Sequence, residues 1–269
     1  MHQLSQADRD HTAYLLVGHG TRNATGQQQF QAVYDQFAKM MAPRLTGFAY
    51  LELAEPGIGQ AVAQLAAAGA KYIQTVPVLL FSAGHALEDI PLAVADACQM
   101  HGLKAIGQTA PLELSSAILE LSALRFRQAV CHTARQPSCQ TGCEGTHCAN
   151  IALAMIGRGS RSLTAAAQMR QFSTLRRQIT PVAQLHTAFV VAQSPSVPEI
   201  LQTLASSSCS TVVVQPHLLF EGELVEKLRQ QVAEAAEASP TQRWVITPTL
   251  GTDFALAQTL TQLADATPD

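Results

Sequence analysis

Three side chains able to do chemistry recur at an even spacing: His19, Glu52 and His85 lie 33 residues apart at each step. Each stands beside a short apolar run. His19 is held in Gly18-His19-Gly20-Thr21-Arg22, Glu52 in Leu51-Glu52-Leu53, and His85 closes Phe81-Ser82-Ala83-Gly84-His85, ahead of Glu88-Asp89-Ile90-Pro91. Two imidazoles and a carboxylate can bind a borderline divalent metal such as Fe, Co, Ni or Zn. They can equally serve as proton acceptors, since imidazole titrates near neutral pH. One histidine at a strand end is ordinarily a hydrogen-bonded surface or core residue. Only the conjunction points to a site. The Gly-His-Gly turn lacks the third glycine of a dinucleotide-binding loop, and a histidine phosphatase would need an Arg-His-Gly order.

The elements that must gather these residues are alternating strands and helices. Tyr14–Val17, Phe48–Leu53, Tyr72–Phe81 and Lys104–Gln108 have the length and apolar content of buried strands. Between the second and third, Pro56 opens a helical pattern with Ile58, Val62, Leu65 and Ala66 on one face and Gly69 as a stop. The pattern then repeats. Leu16–Arg22 aligns with Met155–Arg161 at an offset of 139, and Pro56/Pro195, Leu65/Leu204 and Pro77–Phe81/Pro216–Phe220 keep that offset. The corresponding strands are Ile151–Ile156, Ala188–Ala192, Thr211–Phe220 and Arg243–Thr247. Such alternation predicts parallel sheets covered on both faces. The expected fold is α/β, with two tandem flavodoxin- or Rossmann-like lobes facing across a cleft, ligands binding beyond the strands' carboxyl ends. The predicted division is 1–126, an insert at 127–149, and 150–269.

The second copy keeps the frame and changes the chemistry. Arg158 replaces His19, Val191 replaces Glu52, and Glu221-Gly222-Glu223-Leu224 falls where His85 stands. His217 lies within the matching strand rather than at its end. The active constellation is therefore expected in the first lobe. Arg22, Arg158 and Arg161 are available for anions, or are solvated arginines. The insert holds Cys131, Cys139, Cys143 and Cys148, with His132 and His147 beside them. These soft donors suit an iron–sulfur cluster or zinc, and a reduced loop or redox disulfide is the alternative. A net charge of −3 advertises no nucleic-acid partner. No apolar run approaches the ~18 residues of a bilayer span, and Met1–Thr12 reads as neither signal nor transit peptide. The expected compartment is the cytoplasm.

Val17–Arg22, Leu51–Ile58 and Val76–His85, ending in Asp89-Ile90-Pro91, together resemble the sirohydrochlorin cobaltochelatase and ferrochelatase group, the CbiX/SirB-like chelatases. The likeness runs through both halves, with the full motif set in the first alone. It implies insertion of Fe²⁺ or Co²⁺, with Ni²⁺ a further candidate, into sirohydrochlorin without ATP, towards siroheme or cobalamin. It also implies that His19 and His85 are the metal-binding and proton-accepting pair, and that Glu52 is their acidic helper. The arginines would then meet substrate carboxylates, and the second half is a degenerate chelatase lobe. Some longer members resemble this chain in carrying a cluster, although on cysteines near the C-terminus. Two fused lobes predict a monomer. A carrier of tetrapyrrole or metal that does not turn over, and a redox sensor built on the cysteines, are competing readings.

Overall fold

A computed structural model describes residues 10–82, 88–132 and 150–266. Two parallel four-stranded sheets account for the strands. The first contains β1 (Thr12–Gly18), β2 (Leu45–Tyr50), β3 (Tyr72–Pro77) and β4 (Lys104–Gln108) in the order β2-β1-β3-β4. The second contains β5 (Ile151–Gly157), β6 (Gln184–Phe189), β7 (Thr211–His217) and β8 (Arg243–Ile246) in the order β6-β5-β7-β8. The helices are α1 (Ala24–Met41), α2 (Ile58–Ala67), α3 (Ile90–His101), α4 (Ser116–His132), α5 (Leu163–Ile179), α6 (Val197–Ala205), α7 (Glu223–Ala238) and α8 (Phe254–Asp265). Each sheet has the doubly wound flavodoxin-like order, in which the direction of winding reverses beside the first strand.

Both faces of β1 are buried, which explains its continuous apolar run Leu15-Leu16-Val17. Ala13, Leu15 and Val17 join Ile58, Val62 and Leu65 of α2 and Ile90, Val94 and Cys98 of α3 in one core, while Leu16, pointing the other way, is equally buried. The helix ends follow their capping residues. The Asn23 side chain accepts from Gly26 N–H at 2.9 Å, and Ser162, its counterpart at offset 139, accepts from Ala165 N–H at 3.2 Å. The repeat slips by one residue at the fourth strand. Ile73 pairs with Ala105 but Gln74 with Gly107, a bulge, whereas β7 and β8 pair without interruption. Beyond it the offset is 138.

Several local details differ from the sequence reading. β2 ends at Tyr50, so Glu52 lies past the strand, not in it. Pro56, preceded by a cis peptide bond, precedes the N-cap Gly57 of α2 instead of opening the helix. β3 stops at Pro77, and His217 is the last residue of β7 rather than an interior one.

The compact units are not the repeats. One unit runs to Glu113 and resumes at Thr252; the other is Leu114–Gly251. Helix α4, which follows the fourth strand of the first repeat, packs in the second unit on α5 and β7. Helix α8, at the end of the second repeat, packs in the first unit on α1 and β3. Each sheet is thus completed by the terminal helix of the other repeat.

Candidate active site

In the first unit the crevice beside β1 is where a doubly wound sheet ordinarily binds its ligand, and His19 is the first residue past β1. The β1–β2 ladder continues beyond both strands. Leu51 N–H donates to Gly18 C=O at 2.8 Å and Glu52 N–H to His19 C=O at 3.0 Å. These two rungs set Glu52 level with His19, and His19 Nε2 lies 3.3 Å from Glu52 Oε1. The imidazole is 22% exposed and the carboxylate 50%, so the pair is open to an incoming metal or proton carrier. Gly20 permits this approach. It has φ +99°, and a Cβ there would sit 1.8 Å from the Glu52 carbonyl oxygen.

At the end of β3, Ser82 Oγ donates to Glu113 Oε1 at 2.8 Å. Glu113 N–H is bonded to Leu80 C=O at 2.8 Å, which draws this acid to the same edge of the sheet. Sequence reasoning passed over Glu113. It belongs to no motif block, and only its pairing with the β3 extension reveals its position. His85 lies outside the described residues, so the geometry joins His19 to Glu52.

The second unit repeats the backbone frame with other side chains. Val190 N–H donates to Gly157 C=O and Val191 N–H to Arg158 C=O, both at 3.0 Å. Gly159 has φ +84°, with the Val191 carbonyl 1.9 Å from where a Cβ would be. Arg158 stands exposed where His19 stands in the first unit, and Arg22 and Arg161 are exposed, each four residues past the glycine that ends the first strand of its unit, Gly18 and Gly157. Glu221 is held in a fork by Arg229 at 2.7 and 2.9 Å. His217 is no site residue: it is 1% exposed, its ring lies 3.9 Å from that of Phe172, and burial lowers its pKa to about 3.

The side chains of Cys131, Cys139, Cys143 and Cys148 lie outside the described residues. Among the described residues no group of three or more His, Cys, Asp or Glu side chains is gathered as a metal site, and no helix is long and apolar enough to cross a membrane.

A tandem pair of doubly wound α/β lobes, one with an imidazole–carboxylate pair at its strand ends, defines the structural class. Two segments, 13–129 and 152–267, match the CbiX family model. The chain belongs to the CbiX/SirB sirohydrochlorin chelatase family and carries its domain twice. The sirohydrochlorin ferrochelatase of Bacillus subtilis (strain 168) is 25% identical over 228 residues, covering 85% of this chain and 82% of that protein. The sirohydrochlorin cobaltochelatase of Priestia megaterium is 24% identical over 225 residues, covering 82% and 68%. The solved structure "SirB from Bacillus subtilis with Fe3+" shares the fold, with a TM-score of 0.78 over 94% of each chain at 22% identity.

Proposed function

We propose that this protein inserts Fe²⁺ or Co²⁺ into sirohydrochlorin without ATP, on the way to siroheme or cobalamin. The observation that carries the reading is the His19–Glu52 pair at the strand ends of one repeat, with arginine and valine at the equivalent positions of the other. Insertion releases two pyrrole N–H protons for each divalent cation that enters the ring. The His19 imidazole takes up one of these protons and His85 the other, both passing on to solvent, and Glu52, whose Oε1 lies 3.3 Å from His19 Nε2, stabilises the imidazolium formed at His19. A positioned base of this kind typically contributes ~10²–10⁴-fold. His19 and His85 are together the metal-binding and proton-accepting pair, and so few protein ligands leave positions open for the ring nitrogens. Arg22, four residues past β1 in the same unit as His19, receives peripheral carboxylates.

The first repeat, within 1–126, supplies the chemistry; 127–149 joins it to the second, 150–269, and two repeats on one chain supply both lobes of a monomer. The donor set Cys131, Cys139, Cys143 and Cys148 fits an iron–sulfur cluster or zinc, which would add electron transfer or a cross-link. Insertion itself draws on His19, Glu52 and His85.

The test is anaerobic: sirohydrochlorin with Fe²⁺, Co²⁺ or Ni²⁺ and catalytic amounts of protein, followed by the macrocycle's visible spectrum. Multiple turnovers above the metal-only rate are expected. His19→Ala and His85→Ala should abolish them, and His217→Ala should leave insertion in place. Stoichiometric binding without acceleration would make the protein a carrier, and equal loss in all three variants, with His217→Ala shown to be folded by its thermal transition, would refute a single site.

A further inference from the structure

Leu53, the neighbour of Glu52, combines two unfavourable features. Its backbone has φ +66°, a region that non-glycine residues rarely adopt, and the residue is 45% exposed. The backbone conformation has a local cause. Leu51 and Glu52 are tied to Gly18 and His19, and Tyr50 N–H closes the loop on Pro56 C=O at 2.9 Å. The chain between these anchors must turn through the left-handed region. The second unit confirms it: Phe189 N–H bonds Pro195 C=O at 3.0 Å, and Ala192, the counterpart of Leu53, has φ +58°.

Loop closure explains the dihedral but not the side chain. Glycine or asparagine would meet the same requirement with less strain, and the second unit manages with alanine. Among the described residues, packing within the lobe does not explain it either: Leu51 and Leu79, not Leu53, pack against the core. What remains is a bulky apolar group on the residue next to Glu52, whose carboxylate meets His19. Binding sites for small molecules pair a few placed polar groups with apolar walls, and a tetrapyrrole has apolar faces with carboxylates confined to its rim.

We propose that Leu53 is a substrate-binding residue that packs against one face of the macrocycle beside His19 and Glu52. This rests on the chelatase reading above. The test is a spectroscopic titration of sirohydrochlorin, without metal, into the full chain and its Leu53→Asn and Leu53→Met variants, with thermal unfolding of each. Leu53→Asn should weaken binding by about three- to tenfold, the loss for half a leucine side chain of buried area. Its Tm should equal or exceed that of the parent, because asparagine tolerates the left-handed backbone. Leu53→Met should bind like the parent. In the insertion assay the loss should appear in KM for sirohydrochlorin with kcat retained. Equal binding by Leu53→Asn and the parent would overturn the inference alone, as would a lower Tm for Leu53→Asn, which would make the leucine a packing residue. Failure of the parent to bind sirohydrochlorin would overturn the chelatase reading and this inference with it.

Discussion

Two histidines, similarly placed past or at the end of a first or third strand, have opposite fates. His19 is partly open and meets a carboxylate; His217 is buried against Phe172, where the equivalent residue of the first unit is Val78. Burial holds the His217 ring neutral down to about pH 3, against an ordinary value of 6.5. Between those values the unfolded chain binds a proton that the folded chain refuses. Stability is therefore full above pH 6.5 and falls as the pH drops towards 3, at about 1.4 kcal/mol per pH unit. His217→Leu should remove this sensitivity. In denaturant unfolding the parent should lose about 2 kcal/mol more than the variant between pH 6.5 and 5. Equal losses would show that His217 is not the group responsible.

The terminal helices carry polar residues suited to the sheets they cover. In the second unit, Gln215 of β7 donates from Nε2 to Ser122 of α4, to its carbonyl at 2.7 Å and its hydroxyl at 3.2 Å. Arg125 of the same helix donates to the Leu250 carbonyl at 2.6 Å, and the Arg176 guanidinium of α5 lies 5.3 Å from the Phe126 ring centroid. The repeat counterparts in the first unit are apolar: Val76 for Gln215, Leu260 for Ser122 and Phe37 for Arg176, all fully or nearly fully buried. Outside that layer α8 is tied down by the Arg44–Asp265 ion pair. Gln215→Val or Ser122→Leu alone should each cost about 1–3 kcal/mol, because a buried polar partner loses its bond or a core is overfilled. The double variant, which copies the Val76/Leu260 layer, should cost less than the sum. A double-mutant cycle in denaturant reads the coupling, and strict additivity would show that the two positions are matched only by proximity.

At the scale of the whole chain, the last helix completes the first sheet. Leu256, Ala257 and Leu260 of α8 are fully buried there. Ending the chain at Gly251 should therefore expose β1 and β3 to hydrogen exchange while β5 and β7 stay protected. Loss of protection confined to the second sheet would contradict the exchange of helices. Little of this was legible in the sequence. The offset of 139, the eight strands and the placing of His19 beside a strand end all follow from local patterns: apolar alternation, glycine turns and a repeated order of elements. Glu52 is legible as a carboxylate at the end of the second apolar run, but its position past β2 depends on two backbone rungs to Gly18 and His19. The core role of His217, the part of Glu113 and the sheets on which α4 and α8 settle were decided only by tertiary structure. Periodicity reports which face of an element is buried, not what buries it. The bonds that answer that question, Ser122 to Gln215 and Arg125 to Leu250, join residues 93 and 125 positions apart.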